Sequence, residues 1–295
     1  MLKGTTVDLQ QLLKLRSYAQ GIDLLRGKQV ASQRHGIDVS GFRGRGMDFD
    51  EVRVYQPGDE MRHVHWRVTA KTGVPHTKLY REERERPLMV IVDYSATMRF
   101  ATRVAYKSVI AAEAASLIAW AGVAQGYRTG GLVFNGEQQW ESPLCSREQG
   151  AVSILKLLAQ SSGKLQIGGL SSALKTVQRS VRPGTVIFIL SDFQHIDHEI
   201  EQSFSQLADH HELVVGFIYD PIEQELPPAD QYGFAKNDMI LSIDTGNGRL
   251  RSEYRAQFDA HRDALKKMCA KCGISFLELP TDQEVRKKLQ QRGQG

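Results

Sequence analysis

Three apolar runs constrain the fold of this chain more than any other feature. They are LMVIVD at 88–93, TVIFILSD at 185–192 and LVVGFIYD at 213–220. Continuous runs of this kind, rich in β-branched residues, are typical of strands buried on both faces. Helical periodicity fills the segments between and after them, at 104–125, 149–161, 172–181, 196–211 and 253–272. The alternation predicts a doubly wound, mostly parallel α/β sheet with helices on both faces.

The first part of the chain has a different pattern. Residues 1–30 space leucines among basic residues and predict one or two helices. Farther on, glycines separate short segments such as FDEVRVY and HVHWRVTAK, whose apolar and polar residues alternate as they do in strands. We therefore predict a helical and small β-rich domain at 1–86, followed by the α/β domain at 87–295.

Composition and segment lengths argue against a secreted or membrane-spanning protein. Three cysteines in 295 residues are too few for a secreted disulfide framework, which favours a reducing compartment. The first residues lack the pattern of a signal peptide. The most apolar helical stretch, 109–124, is short for a membrane span and contains Glu113. We therefore expect a cytoplasmic protein with no membrane span.

Positive charge is concentrated in the N-terminal part. Residues 1–86 contain 16 Lys and Arg against 11 Asp and Glu, whereas the rest of the chain contains 22 against 23. Such an excess can attract an acidic partner, although an ordinary solvated surface gives the same composition. Acidic residues lie among the basic ones and no nucleic-acid-binding motif is present. A nucleic-acid binder is therefore an alternative that we do not favour.

Polar side chains follow the buried strands, where ligands bind in doubly wound sheets. The first run ends in Asp93, with Ser95 and Thr97 at alternating positions after it, and the second run ends in Ser-Asp at Asp192. One carboxylate and two hydroxyls suit a hard cation such as Mg²⁺ or Mn²⁺, and Asp192 can add a carboxylate through water. In the alternative interpretation, Asp93 and Ser95 only cap the N-terminus of the next helix.

An apolar strand, a D-x-S-x-T motif, a long helix and a strand ending in Ser-Asp together resemble the von Willebrand factor A domain, a Rossmann-type fold. The resemblance implies a metal-ion-dependent adhesion site (MIDAS) formed by Asp93, Ser95, Thr97 and Asp192. The open position of its metal accepts a carboxylate from a protein partner. The family also has a threonine before a middle helix, where the stretch IGGLSSAL at 167–174 has a glycine. The resemblance therefore implies an incomplete site with weak or absent metal binding.

A longer ordered motif resembles the bacterial domain of unknown function 58 family. It comprises GxGxDF at 44–49, RxYxPGDExR at 53–62, HWRxxAKT at 65–72 and EER at 82–84, and the resemblance extends over about residues 30–200. Members are typically encoded beside a MoxR-type AAA+ ATPase and other von Willebrand A proteins. The resemblance implies these proteins as partners, in the assembly or activation of protein complexes.

Within this motif, Trp66 and Arg67 are residue types that are enriched at interface hot spots. We predict a partner-binding surface around them that includes Arg53 and Arg62. In the alternative interpretation, the arginines form hydrogen bonds with carboxylates that fix a small β unit to the α/β domain; the candidate carboxylates are Asp48, Asp50, Glu51, Asp59 and Glu60.

Two further motifs are weak candidates for a metal or redox site. His63 and His65 form an H-x-H pair on a predicted strand face, but without a third ligand nearby we expect no zinc site. Cys269 and Cys272 form a lone C-x-x-C at a predicted helix end, which favours core packing over a redox or zinc site.

The two resemblances imply a non-enzymatic, protein-binding adaptor. The alternative is a phosphatase-like hydrolase with Asp93 as nucleophile, because D-x-S-x-T is similar to the D-x-D-x-T loop of haloacid-dehalogenase-like phosphatases. Ser95 replaces the second carboxylate of that loop and cannot act as a general acid near neutral pH.

Overall fold

The computed structural model describes residues 1–24, 47–56, 59, 61–82, 86–161, 165–236 and 239–291. Side chains are not described at 47–51, 78–82, 234–236 and 239–243. The chain divides into two compact units, one of Met1–Val30 with Arg86–Gly295 and one of Ala31–Glu85. This division differs from the predicted domains at 1–86 and 87–295, because the N-terminal segment belongs to the α/β unit.

Apolar packing explains why the N-terminal segment joins the α/β unit. Helix α1, Leu9–Lys14, continues into a 3-10 turn at Leu15–Tyr18. Leu12 and Leu15 are buried in the same core as the apolar helix that begins at Lys107. The carbonyl oxygen of Leu12 also accepts hydrogen bonds from the Ser116 hydroxyl at 2.9 Å and the Trp120 indole at 3.4 Å.

The second unit contains an antiparallel pair of strands, β1 at Met47–Val54 and β2 at His76–Glu82. Between them lie a 3-10 turn at Met61–His63 and helix α2 at Trp66–Thr72. The prediction of a strand over HVHWRVTAK is therefore wrong. The prediction that His63 and His65 share a strand face is wrong for the same reason. The His65 side chain caps the helix by accepting a hydrogen bond from the Val68 amide, and Gly73, with φ of +70°, ends it in the left-handed conformation.

The α/β unit alternates strands and helices after residue 86, and its further elements are β3 Pro87–Asp93, α3 Lys107–Ala124, β4 Arg128–Phe134, β5 Gln139–Cys145, α4 Arg147–Gln160, α5 Leu170–Ser180, β6 Val186–Ser191, α6 His198–Ala208, β7 Glu212–Tyr219, α7 Pro221–Gln224, β8 Gln231–Lys236, β9 Met239–Asp244, α8 Gly248–Lys271, β10 Ser275–Pro280 and α9 Val285–Gln291. Six strands form one sheet in the order β10-β7-β6-β3-β4-β5, in which only β5 is antiparallel to its neighbour. β8 and β9 pair as a separate antiparallel hairpin. The predicted mostly parallel α/β sheet is confirmed.

Helices cover both faces of this sheet. Val90 and Val92 of β3 lie in a core with α1, α3 and α4, whereas Met89 and Ile91 lie in a second core with α5 and α6. Successive strand side chains point to opposite faces, so a strand between two helical layers is apolar at every position. Among the described residues, α3 alone is long and apolar enough to cross a membrane. It is almost entirely buried within the fold, including Glu113, as predicted for a core helix.

The chain order places a switch point between β3 and β6. From β3 the chain continues to β4 on one side, and it later returns to β6 on the other side. Val92 of β3 pairs with Leu190 of β6, so the strands end side by side at Asp93 and Ser191. The carboxyl edge at such a point is where doubly wound sheets bind ligands.

Candidate functional site

A small pocket of about 20 Å³ lies at this switch point. The volume admits one water-sized group. Asp93, Ser95, Thr97 and Asp192 all line the pocket, so the structure brings together the four residues predicted for the site. The remaining lining residues are Gly168, Leu170, Ser191, Phe193, Gln194 and His195.

Asp93 is the buried centre of the pocket. Its Oδ1 accepts a hydrogen bond from the Ser95 amide at 2.7 Å, and its Oδ2 accepts one from the Ser191 hydroxyl at 2.6 Å. Burial and the nearby charge of Asp192 raise the pKa of Asp93 to about 7, even though the hydrogen bonds from Ser191 and Ser95 act to lower it. The hydrogen bonds therefore compensate only part of the cost of burying the ionised form of Asp93.

Ser191 is a site residue that the metal-ligand prediction did not include. Its hydroxyl donates to Asp93 and accepts a hydrogen bond from the Phe193 amide at 3.1 Å. Phe193 has φ of +48° and is buried, so the chain turns sharply just after β6. The signal in the sequence was the Ser-Asp pair at the strand end, of which only the aspartate matched the metal motif.

The two hydroxyls of the motif lie together, with Ser95 Oγ 3.2 Å from Thr97 Oγ1. Ser95 precedes a short 3-10 helix at Ala96–Met98, but its side chain makes no capping hydrogen bond there. The long helix α3 begins only at Lys107, and its N-cap residue Tyr106 also has no side-chain cap. Capping of the next helix therefore does not account for the motif, because Asp93 instead holds the local turn at Ser95.

Lys107 is the residue that sequence analysis missed altogether. Its Nζ donates to Asp192 Oδ2 at 2.7 Å and to Glu223 Oε1 at 2.8 Å, and its side chain is 1% exposed. Burial acts to lower the pKa of Lys107, but the two carboxylates outweigh it and raise the pKa above its ordinary value. The other oxygen of Asp192 accepts a hydrogen bond from the Gln194 amide at 3.3 Å.

The polar network continues from the pocket to the ends of β7 and β10. Asp220, fully buried after β7, accepts hydrogen bonds from the Thr102 hydroxyl and the Thr281 hydroxyl, each at 2.6 Å. Burial alone would raise the pKa of Asp220, but these hydrogen bonds hold it below its ordinary value. The Asp220 amide donates to Glu223 Oε2 at 2.7 Å, which connects the network to Lys107.

The donor set at the pocket fits a hard cation only in part. Asp93 and the hydroxyls of Ser95 and Thr97 supply oxygen atoms, as Mg²⁺ prefers. Gly168 has no side-chain oxygen to add. The space beside it is open, because a Cβ at this position would have no atom within 4 Å. In the described part of the chain, no group of three or more His, Cys, Asp or Glu could hold a metal. A cation here would therefore depend on hydroxyl and water oxygens beside the two carboxylates.

Comparison with known proteins places the chain in a family. Residues 51–264 match the family model "Protein of unknown function DUF58". The chain belongs to the DUF58 family. Uncharacterized proteins of Mycobacterium bovis and Mycobacterium tuberculosis are each 28% identical to it over 291 residues, which is 96% of this chain and 89% of the relative. These relatives are bacterial, as the resemblance implied.

Two solved structures have a weaker likeness to this DUF58 protein. BatB, a conserved hypothetical protein from Bacteroides thetaiotaomicron, is 15% identical with a TM-score of 0.42, over 70% of this chain and 96% of that chain. An aerotolerance-related membrane protein from Bacteroides fragilis is 14% identical with a TM-score of 0.44, over 71% and 97%. Scores below 0.5 do not establish a shared fold.

The four predicted partner-binding residues have different environments in the DUF58 motif. Arg53 forms an ion pair with Asp59 at 2.8 Å, which is one of the Arg–carboxylate contacts that the alternative interpretation predicted. Arg62, Trp66 and Arg67 are exposed, and Trp66 has 66% of its surface exposed. The predicted carboxylate side chains of Asp48, Asp50, Glu51 and Glu60 lie outside the described residues, as do the glycines at 44 and 46, Pro57, Gly58 and the EER residues at 83–84.

The cysteine pair packs in the core, as predicted. Cys269 is buried and Cys272 is partly buried, and both are free thiols at the end of α8. Burial raises the pKa of Cys269 to about 12, so this thiol is not activated as a nucleophile.

Proposed function

We propose that this protein is a non-enzymatic, protein-binding adaptor. The pocket at the switch point binds a divalent cation, Mg²⁺ or Mn²⁺, which accepts a carboxylate from the partner. The observation that carries this proposal is the meeting of Asp93, Ser95, Thr97 and Asp192 in one pocket beyond two adjacent strand ends.

Charge and size support a cation at this place. A buried carboxyl group with a pKa of about 7 gains most from a positive charge nearby. Pockets for small-molecule substrates hold about 300–1,000 Å³, whereas this one holds about 20 Å³. The pocket suits a single ion reached by the tip of a partner side chain better than it suits an organic substrate.

The resemblance to von Willebrand factor A domains and membership of the DUF58 family support the choice of partner. The chain has the order of elements found in von Willebrand factor A domains: strand β3, D-x-S-x-T, the long helix α3, and strand β6 followed by Asp192. Members of the DUF58 family are typically encoded beside a MoxR-type AAA+ ATPase and other von Willebrand A proteins. We propose that such proteins are its partners, in the cytoplasm.

The hydrolase alternative has less support. It requires a second carboxyl group free to act as an acid beside Asp93. Ser95 occupies that place in the motif, and Asp192 is held by the ammonium group of Lys107. We therefore propose no hydrolytic activity.

A metal titration of the melting temperature tests the proposal. We expect Mg²⁺ or Mn²⁺ to raise the melting temperature of the wild type but not that of Asp93→Ala. A saturated site adds up to about 2.7 kcal/mol at 100 times its dissociation constant, and with Gly168 in the place of the threonine we expect less.

The matched control is Asp244→Ala. Asp244 ends β9 and accepts a hydrogen bond from the Gly246 amide at 2.8 Å, the same local contact that Asp93 makes with Ser95. This variant should keep the metal response. A wild type that shows no response to metal would refute the cation, and unchanged capture of a purified MoxR-type ATPase by Asp93→Ala would refute docking at the pocket.

A further inference from the structure

We propose that Lys107 is a positioning residue that places an internal cation beside Asp192, at the edge of the pocket. Its ammonium group holds Asp192 out of direct metal coordination and confines a bound ion to the side of Asp93, Ser95 and Thr97. This inference rests on the proposed cation site and adds a role that the D-x-S-x-T motif does not contain.

The first step is the environment of the ammonium group. Lys107 begins α3 and sends its side chain into the carboxyl edge of the sheet, where it lies between two carboxylates at 2.7 and 2.8 Å. Its Nζ also lies 5.9 Å from the centre of the Phe100 ring. Charge-assisted hydrogen bonds of this length are among the strong ones. These two ion pairs fix the ammonium group of Lys107 beside Asp192.

The second step concerns the two oxygen atoms of Asp192. Oδ2 accepts the hydrogen bond from Lys107, and Oδ1 accepts one from the Gln194 amide. The ammonium group on Oδ2 repels a second cation, whereas the two donors to Asp93 are an uncharged amide and an uncharged hydroxyl. Asp192 therefore acts on an ion in the pocket through its charge or through water.

The third step is the anchoring of Lys107 itself. Glu223 binds Lys107 with one carboxylate oxygen and the Asp220 amide with the other. Asp220 in turn accepts hydrogen bonds from Thr102 and Thr281. The ammonium group is thus fixed to the ends of β6, β7 and β10 at once. Supporting contacts of this kind set the orientation of metal-site residues.

The test is the affinity for Mn²⁺ of the full chain, measured by isothermal titration calorimetry. Lys107→Met keeps the length of the side chain but removes its charge, leaving Asp192 and Glu223 without a cation beside the pocket. We expect the dissociation constant for Mn²⁺ to fall about tenfold or more, because two charges a few ångströms apart interact strongly at the edge of a protein. Lys107→Arg should keep the wild-type value.

Lys175→Met is the control for loss of a lysine. Lys175 pairs with Glu199 on the exposed surface of α5 and α6. Its removal should leave the affinity for Mn²⁺ unchanged. A purely structural role for Lys107 would change stability but not metal affinity, so calorimetry separates the two roles.

A second pair of variants covers the case in which Lys107→Met does not fold. Asp192→Asn should weaken Mn²⁺ binding much less than Asp93→Asn does. Equal loss in both variants would overturn the inference while leaving the proposed function intact, and so would unchanged or weaker binding by folded Lys107→Met. If only Lys107→Met binds Mn²⁺, the cation in the wild type is refuted and the role of Lys107 is supported. If neither the wild type nor Lys107→Met binds Mn²⁺, both the proposed cation site and the role of Lys107 are overturned.

Discussion

Asp93 makes the stability of the fold depend on pH in a direction opposite to that of most carboxyl groups. In the folded protein its pKa is raised from 3.8 to about 7, chiefly by burial. Below about pH 4 the group is protonated in both the folded and the unfolded chain. Between about pH 4 and 7 the unfolded chain releases this proton and the folded chain keeps it. The contribution of Asp93 to stability is therefore fully present at low pH and is lost as the pH rises through 7.

The size of the effect follows from the difference between the two pKa values. A shift of about three pH units at about 1.36 kcal/mol for each unit gives about 4 kcal/mol. Asp93→Asn removes the titration and keeps the shape of the side chain. In metal-free buffer, the free energy of unfolding of Asp93→Asn relative to wild type should rise by about 4 kcal/mol from pH 4 to pH 8.

Urea unfolding at a series of pH values, followed by circular dichroism, measures this difference. Any constant penalty from a poorer contact between the new amide and Ser191 cancels when only the pH dependence is compared. A difference that stays flat between pH 4 and 8, or that changes with the opposite sign, would refute the argument that burial of Asp93 disfavours its ionised form. Saturating Mg²⁺ should flatten the profile of the wild type alone, because a bound cation favours the ionised carboxylate.

Three further substitutions extend these tests. Gly168→Thr supplies the missing hydroxyl but forces a β-branched residue to φ of +95°, so we expect calorimetric unfolding to show a loss of about 1–3 kcal/mol. Lys107→Ala should lower the free energy of urea unfolding by about 3–5 kcal/mol, because it leaves the buried Asp192 carboxylate without its cation; a loss below 1 kcal/mol would contradict the buried pair. Trp66→Ala should leave the melting temperature nearly unchanged, since this side chain is largely exposed, and should weaken capture of the partner in a pull-down.

The sequence was most informative where burial on both faces leaves a single possible pattern. The strands that contain Leu88, Val186 and Leu213 could be predicted because each is a continuous apolar run with polar residues only at its ends. Asp93 and Asp192 could be paired because parallel strands end at the same edge of a sheet.

Other features depend on contacts between residues far apart in the chain or on single capping residues. Neither produces a periodic pattern in the sequence. Lys107 is one lysine at the start of a helix, and its partners lie 85 and 116 residues away in the chain. The segment HVHWRVTAK is short enough to fit either period. Its residues from Trp66 onward form a helix because His65 caps the start and Gly73, in the left-handed conformation, ends it.

The packing of α1 on α3 has a consequence for synthesis on the ribosome. The whole small unit is translated between these two helices, and the contact from Ser116 to Leu12 spans 104 residues. At about 5–20 residues per second, α3 is completed roughly 5–20 s after α1. During that interval the leucines of α1 have no core to enter, so the β-rich unit has the chance to fold before the α/β unit can close around its own first helix.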